Sequence, residues 1–215
     1  AGSINMSNNS GLVDPIRAAE KGAPVAILRV EIQLPPYAVL AKPAIKTMQD
    51  IKGKLVSVGG AKDITRIYVE RMFAAKGVKP GEFDMAYAGA TSARFAALQS
   101  GAVDAAILTP PFNFAAESAG FVNLGNVNEF VDMPFAGIAI NTRWAESNKA
   151  VLGRIVGAYN QSIAWLYDPK NRAEAVQILN KVSRLKIEDA EKAYDYLIGG
   201  KLPFGFVEPI AVSFG

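Results

Sequence analysis

Four short segments of glycine and small polar residues each follow an apolar run typical of a β-strand. They are Ser7-Asn8-Asn9-Ser10, Gly59-Gly60-Ala61, Gly89-Ala90-Thr91 and Thr109-Pro110-Pro111-Phe112. Hydroxyl, amide and main-chain N–H groups at such positions can hydrogen-bond a small polar or anionic molecule, and a helix that begins there adds unpaired N–H groups. These segments therefore predict non-covalent binding contacts rather than bond chemistry.

The polar candidates also have a structural interpretation. The Ser-Asn-Asn-Ser run is predicted to follow a strand at residues 4–6, and it offers four adjacent donors and acceptors. Asn9 or Ser10 can instead cap a helix that begins near Gly11. Thr91 can be either a helix cap or a ligand contact, whereas Thr109 leaves a buried strand beside two prolines and is the better contact candidate.

The glycines, aromatic residues and charges around these segments leave further alternatives open. Gly59-Gly60 either lets a ligand approach the main chain closely or belongs to a turn that needs positive φ. Tyr37 and Phe112 either form apolar walls of a pocket or join the core. Lys62 favours an anion, whereas Asp63 opposes one unless its carboxylate caps its own helix. The charge of the ligand therefore stays open.

The composition excludes many kinds of enzyme. The 215 residues include no His and no Cys, so Ser-His-Asp and Cys-His catalysis, disulfides and ordinary zinc sites are excluded. The P-loop and dinucleotide-binding motifs are absent from the sequence as well. No catalytic residue, metal ligand or cofactor is predicted. The net charge is +3 with no long run of one sign, so the sequence gives no indication of nucleic-acid binding.

Hydrophobic periodicity and turn residues predict alternating strands and helices. Strands are predicted at residues 24–32, 37–42, 54–58, 84–88, 103–108, 121–124 and 135–141, and helices at 63–76, 91–100, 110–119, 149–168, 171–182 and 187–198. The strand and helix order between residues 54 and 108 is typical of a parallel sheet. The last of those strands is apolar without alternation, which predicts burial of both its faces.

Two motifs carry a resemblance to a known family. Residues 50–60 read DIKGKLVSVGG, and residues 96–105 read AALQSGAVDA. Both resemble segments of the type II solute-binding proteins of ABC importers, in the NMT1/THI5-like branch that covers nitrate, taurine, aliphatic sulfonates and thiamine-precursor pyrimidines. The resemblance extends over most of the chain and includes Asn141-Thr142-Arg143-Trp144 before a long helix. It departs at both ends, where opening and closing elements of the family are expected to be missing.

The resemblance implies a two-lobed α/β fold of the periplasmic-binding-protein type II class, with parallel-rich sheets flanked by helices. Lobe 1 is expected at residues 1–48 and 135–215 and lobe 2 at 49–134, with a ligand held in the cleft and hinge closure around it. The implied protein is a monomeric, non-enzymatic, periplasmic or extracytoplasmic component that delivers a small solute to a membrane permease. No signal peptide is recognisable at residue 1.

Two other functions share this architecture. A fungal enzyme of the same family makes the thiamine pyrimidine and consumes its own active-site His, which this sequence lacks. The effector-binding domain of a transcription regulator has a similar two-lobed shape. Such a regulator also needs a helix-turn-helix, which the sequence does not show but which an absent N-terminal region could hold. The ligand class stays open between sulfonate, taurine, nitrate and pyrimidine.

Overall fold

A computed structural model describes residues 4–198. Within them the strands are β1 (Met6–Gly11), β2 (Val25–Ile32), β3 (Ala38–Ala41), β4 (Leu55–Val58), β5 (Asp84–Tyr87), β6 (Ala105–Leu108), β7 (Val122–Asn126) and β8 (Ala136–Asn141). The α-helices are α1 (Val13–Glu20), α2 (Ile64–Ala75), α3 (Thr91–Gln99), α4 (Phe112–Ser118), α5 (Thr142–Ser147), α6 (Lys149–Tyr167), α7 (Arg172–Ser183) and α8 (Ile187–Ile198). Short 3-10 helices occupy Met48–Ile51, Val127–Glu129 and Pro169–Asn171.

The described chain forms two compact units. The first contains residues 4–34, 133–175 and 194–198, and the second contains residues 35–132 and 176–193. The predicted boundary at residue 48 is wrong for β3, which was expected in the first lobe. β3 pairs with β6 on one side and β7 on the other, so its main-chain hydrogen bonds hold it in the sheet of the second unit.

The second unit is built on a five-stranded sheet in the order β5-β4-β6-β3-β7. β4 pairs in parallel with both β5 and β6, while β3 runs antiparallel to β6 and β7. The predicted strand and helix alternation is therefore confirmed from β4 to β6, with α2 and α3 as the connecting helices. All four residues of β6 are buried, as a strand covered on both faces requires.

The first unit contains a three-stranded sheet in the order β1-β8-β2, and both of its pairings are antiparallel. Its core includes Leu28, Ile138, Ile140, Ala145 and Leu152. Helices α5 and α6 contribute the last two of these residues, so helices cover one face of the sheet. The parallel pairings of the described structure lie in the second unit, where the candidate functional residues are most concentrated.

Helix α2 shows why the sequence folds locally as it does. Its buried face consists of Thr65, Tyr68, Val69, Met72 and Phe73, which recur at helical spacing. Burying a large apolar side chain of this kind contributes about 1.5–3 kcal/mol. The helix ends where Gly77 adopts a φ of +79°, a conformation that glycine takes without steric cost.

Asp104 explains part of the AALQSGAVDA motif, because it ties three strands together at the start of β6. Its carboxylate accepts hydrogen bonds from the Leu55 main-chain N–H at 3.0 Å and from Lys42 Nζ at 2.8 Å. These two donors hold the pKa of Asp104 below its usual range. The aspartate of this motif therefore has a structural role, at the edge of the sheet away from the carboxyl ends of β4 and β6.

Between residues 4 and 198, none of the helices has the length and apolar character that a membrane span requires.

Candidate functional site

Most of the predicted contacts meet where the parallel strands of the second unit end. The carboxyl ends of β4, β5 and β6 lie at the same edge of the sheet, because these strands are parallel. β3 runs the opposite way and aligns Ala38 with Leu108, so Tyr37 reaches this edge as well. We call the following set the carboxyl edge: Tyr37, Gly59, Gly60, Ala61, Gly89, Ala90, Thr91 and Thr109.

Hydrogen bonds connect the members of the carboxyl edge to one another. The Gly89 N–H donates to the Gly59 carbonyl at 2.9 Å, which joins the segments that follow β5 and β4. Thr109 Oγ1 lies 3.4 Å from Thr91 Oγ1, which brings together the segments that follow β6 and β5. Both threonines are half-buried. The edge therefore presents two neighbouring hydroxyls beside glycine-rich main chain.

The turn from β4 into α2 is satisfied by its own side chains. The Gly59 N–H donates to Thr65 Oγ1 at 2.8 Å, and Asp63 accepts from the Thr65 N–H at 2.9 Å as the N-cap of α2. Neither Gly59 nor Gly60 has positive φ, so the interpretation that these glycines belong to a turn requiring positive φ is wrong. A Cβ added to Gly59 would lie 2.6 Å from Asp63 Oδ1. The glycine is needed because the capping carboxylate packs directly against it.

The turn from β5 into α3 is organised differently. Gly89 adopts a φ of +68°, and the N-cap position is Ala90, which has no side-chain oxygen to accept a hydrogen bond. Thr91 is the first residue of the helix and not its cap, so the capping alternative is wrong for this residue. The main-chain N–H groups of a helix's first turn have no partner within the helix. This turn therefore leaves donors available beside the Thr91 hydroxyl.

Arg94 lies behind this second turn and is only 3% exposed. Its Nε donates to the Ile107 carbonyl at 2.8 Å, its NH2 nitrogen donates to Thr91 Oγ1 at 2.7 Å, and its NH1 nitrogen donates to the Gly89 carbonyl. These bonds fix the ends of β5 and β6 and the start of α3 relative to one another. Sequence reasoning missed Arg94, although its i, i+4 spacing from the buried Leu98 indicates an inward-facing position.

Tyr37 completes this part of the site. Its ring centroid lies 5.9 Å from the Arg94 guanidinium and 5.8 Å from the ring of Tyr68. Burial raises the pKa of Tyr37, and the charge of Arg94 partly opposes that shift. Burial also lowers the pKa of Arg94 from its ordinary value. The tyrosine is half-buried, so it combines core packing with a surface at the carboxyl edge.

Phe112 takes the core interpretation. α4 begins at this residue with Pro111 as its N-cap, so the predicted helix start at the two prolines is two residues early. The Phe112 ring lies 5.7 Å from the ring of Phe95 and packs against the core cluster of α3, β6 and α4. Phe112 therefore contributes to the core of the second unit, and its role as a wall of the binding site stays a prediction.

Two charged side chains, Lys62 and Asp63, lie next to the carboxyl edge. Lys62 and Asp63 are both exposed, and the Asp63 carboxylate is engaged by the Thr65 N–H and hydroxyl. Asp63 is thus occupied in capping its own helix, the condition under which it opposes an anion least. Among residues 4–198, no three His, Cys, Asp or Glu side chains are grouped so that they could hold a metal ion.

Comparison of the sequence with protein families identifies the group to which the chain belongs. Residues 10–173 match the family described as NMT1/THI5 like, which is more than half of the chain. The chain belongs to the NMT1/THI5-like family. No curated protein sequence matches it significantly.

Three solved structures similar to this NMT1/THI5-like chain are described as binding proteins. The alkanesulfonate-binding protein SsuA from Xanthomonas axonopodis pv. citri, bound to MOPS, has a TM-score of 0.74 and 23% identity, covering 91% of this chain and 67% of that one. The periplasmic aliphatic sulphonate binding protein SsuA from Escherichia coli has a TM-score of 0.70 and 22% identity, covering 91% and 66%. The periplasmic nitrate-binding protein NrtA from Synechocystis PCC 6803 has a TM-score of 0.68 and 17% identity, covering 87% and 54%.

These matches confirm the predicted α/β fold of the periplasmic-binding-protein class. The NMT1/THI5-like chain spans about two thirds of the length of the two sulfonate-binding proteins and about half of the nitrate-binding protein. At these identities the likeness establishes the fold.

The Ser-Asn-Asn-Ser segment of this NMT1/THI5-like chain is not placed as predicted. Ser7, Asn8, Asn9 and Ser10 lie inside β1, not after its end, because β1 continues to Gly11 in its pairing with β8. The N-cap of α1 is Leu12, so neither Asn9 nor Ser10 caps that helix. Ser7 and Asn8 are exposed in the first unit, and the side chains of Asn9 and Ser10 lie outside the described set.

Proposed function

We propose that this NMT1/THI5-like protein is the solute-binding component of an ABC importer, located in the periplasm or another extracytoplasmic space. It captures a small organic solute or anion at the carboxyl edge and passes it to a membrane permease without making or breaking a covalent bond. One observation carries this proposal. Three parallel strands end together beside two half-buried hydroxyls and a helix start that has no side-chain cap.

The names of the structural relatives narrow the candidate ligands. Two relatives are described as sulfonate-binding proteins, one of them bound to MOPS, and a third as a nitrate-binding protein. Sulfonates, taurine and nitrate share oxygen atoms that accept hydrogen bonds from hydroxyl and N–H donors. Thr91, Thr109 and the first turn of α3 supply such donors. Pyrimidines also stay among the candidate ligands, because the NMT1/THI5-like family includes proteins that act on thiamine-precursor pyrimidines.

A non-enzymatic role agrees with the chemistry of the site. The carboxyl edge contains hydroxyl, main-chain and aromatic groups, and the whole sequence lacks the His that pyrimidine synthesis in this family consumes. Ser7, Asn8, Asn9 and Ser10 in the first unit remain proposed contacts, together with Gly60 and Ala61. The two-lobed hinge closure expected for the family likewise remains a prediction.

The test is a thermal-shift screen of ethanesulfonate, taurine, MOPS, nitrate and pyrimidines, followed by calorimetric titration of each compound that shifts the melting temperature. A ligand at one hundred times its dissociation constant stabilises the folded state by about 2.7 kcal/mol. Thr91→Val and Thr109→Val each remove one hydroxyl while keeping the side-chain shape. We expect each to weaken binding about ten- to a hundredfold, since a hydrogen bond to a charged group contributes about 1.5–3 kcal/mol.

Thr142→Val is the matched control. Thr142 is also half-buried and is also the first residue of its helix, but it lies in α5 of the first unit. The control should bind every ligand with unchanged affinity. The proposal is wrong if no compound in the panel stabilises the protein, and the placement of the site is wrong if Thr142→Val weakens binding as much as Thr91→Val.

A further inference from the structure

Arg94 is a buried cation whose hydrogen bonds all end on neutral oxygen atoms. Its donors are directed at two main-chain carbonyls and at the hydroxyls of Thr91 and Tyr37, and its guanidinium lies 5.9 Å from the Tyr37 ring centroid. No carboxylate among residues 4–198 forms an ion pair with it. Buried charges in proteins are usually paired, because an unpaired charge is costly to desolvate. Arg94 therefore has no ion-pair partner in this part of the chain, the Asp63 carboxylate attracts it without contact, and a negatively charged ligand would add compensation.

The position of Arg94 directs its effect toward the ligand-facing hydroxyls. Thr91 Oγ1 accepts the Arg94 hydrogen bond at 2.7 Å, so its own hydrogen stays available for donation. The 3.4 Å separation from Thr109 Oγ1 is long for a bond between two hydroxyls, whose usual range is about 2.5–3.0 Å. Both hydroxyl hydrogens can therefore turn toward a bound acceptor.

Arg94 does not itself reach the ligand surface. It is 3% exposed, and each of its nitrogens already donates a hydrogen bond. Arg94 can therefore affect ligand binding only indirectly, by orienting the Thr91 hydroxyl and by adding a positive charge behind the carboxyl edge. Asp63, the carboxylate that acts electrostatically on Arg94, is exposed and engaged with Thr65. Solvent screens that exposed carboxylate more strongly than it screens the buried guanidinium.

We propose that Arg94 is the specificity-determining residue of the carboxyl edge, acting as a positioning residue behind Thr91. It makes the Thr91 hydroxyl a donor and adds a buried positive charge, so that the edge selects an oxyanion over a neutral group of the same shape. This inference rests on the proposed function, because it assigns the ligand selectivity of that same site.

The experiment compares ethanesulfonate with ethanesulfonamide, which have nearly the same shape but differ in charge. Calorimetric titration gives the ratio of their affinities for the wild type, Arg94→Met, Arg94→Lys and the control Arg143→Met, whose arginine is exposed in the first unit. We expect the sulfonate preference to fall about tenfold in Arg94→Met, because one buried charge is removed. Arg94→Lys should retain part of the preference, and Arg143→Met all of it.

A second pair of variants keeps the inference testable if Arg94→Met does not fold, which the melting temperature will show. Thr91→Ser retains the hydroxyl and should keep the preference for the sulfonate. Thr91→Val removes the hydroxyl and should reduce that preference.

The possible results distinguish a failure of the Arg94 inference from a failure of the proposed function. If Arg94→Met lowers the affinity for the sulfonate and for the sulfonamide equally, Arg94 has only a structural role and the inference is wrong. If Arg94→Met does not fold, the same result in Thr91→Val overturns the inference. Wild-type binding of the sulfonamide or a neutral pyrimidine in preference to the sulfonate also overturns it, while the proposed function stands. A wild type that binds no compound of the whole panel overturns the proposed function itself.

Discussion

Two glycine-containing turns lie at the same edge of one sheet, but different side chains satisfy their hydrogen-bonding groups. Gly59–Thr65 leads from β4 into α2, and Gly89–Arg94 leads from β5 into α3. In the first turn Asp63 caps the helix, and the Thr65 hydroxyl oxygen accepts a hydrogen bond from the Gly59 N–H, so polar groups of the turn hydrogen-bond to one another. In the second turn the cap position is Ala90, and a buried arginine holds the turn from behind.

The difference shows that a glycine-rich strand-to-helix turn does not by itself indicate ligand contact. In the first turn, the Gly59 N–H donates to the Thr65 hydroxyl and the Thr65 N–H donates to the Asp63 carboxylate. In the second turn, the Arg94 guanidinium donates to the Gly89 carbonyl and to the Thr91 hydroxyl oxygen, so the hydrogen of that hydroxyl is not used in this bond. We therefore propose that ligand binding occurs mainly at the second turn and that the first turn mainly serves structural stability.

The largest expected effect on stability comes from Gly59→Ala. The new Cβ would lie 2.6 Å from Asp63 Oδ1, so the carboxylate must leave its capping position or the main chain must shift. We expect a loss of about 1–3 kcal/mol in the free energy of unfolding, measured by urea denaturation. Gly60→Ala is the matched control, because its Cβ would lie 3.7 Å from Asp63 Cβ, an ordinary contact. Equal losses in both variants would contradict the packing explanation for Gly59.

Sequence patterns predicted the elements of the second unit well, since local signals dominate there. The apolar run of β6, the periodic face of α2 and the glycine beyond each helix are all short-range features. They brought Gly59, Thr91 and Thr109 to one edge, because parallel strands necessarily end together. The α7 and α8 helices were also predicted within about one residue of their bounds.

The errors arose where pairing between distant residues decides the structure. β3 belongs to the second unit because of its partners β6 and β7, and β1 continues through Ser10 because β8 pairs with it. Arg94 was missed for a related reason. Its acceptors are contributed by Gly89, Thr91 and Ile107, and only the folded sheet brings Ile107 close to α3.

Gly89→Ala tests the second turn, with a smaller expected effect. Nothing lies within 4 Å of the added Cβ, so the cost comes from the main chain, which has a φ of +68° at this position. We expect a loss of about 1–2 kcal/mol in the free energy of unfolding, since side chains disfavour this conformation. Gly89→Asn should cost less, because Asn tolerates left-handed φ better than Ala does. A neutral Gly89→Ala would show that the turn can relax and that Arg94 does not fix it.

The smallest effect is expected from Asp63→Asn, and it is on binding rather than on stability. Asn is as good an N-cap as Asp, so the free energy of unfolding should change by less than about 0.5 kcal/mol. The variant removes the negative charge that opposes an anion, and calorimetric titration with ethanesulfonate should show affinity raised about two- to threefold, as for a screened surface charge. Asp14→Asn, on the exposed start of α1, provides the control for net charge. A weaker affinity in Asp63→Asn would mean that the first turn contacts the ligand directly, and the contrast between the two turns would then be wrong.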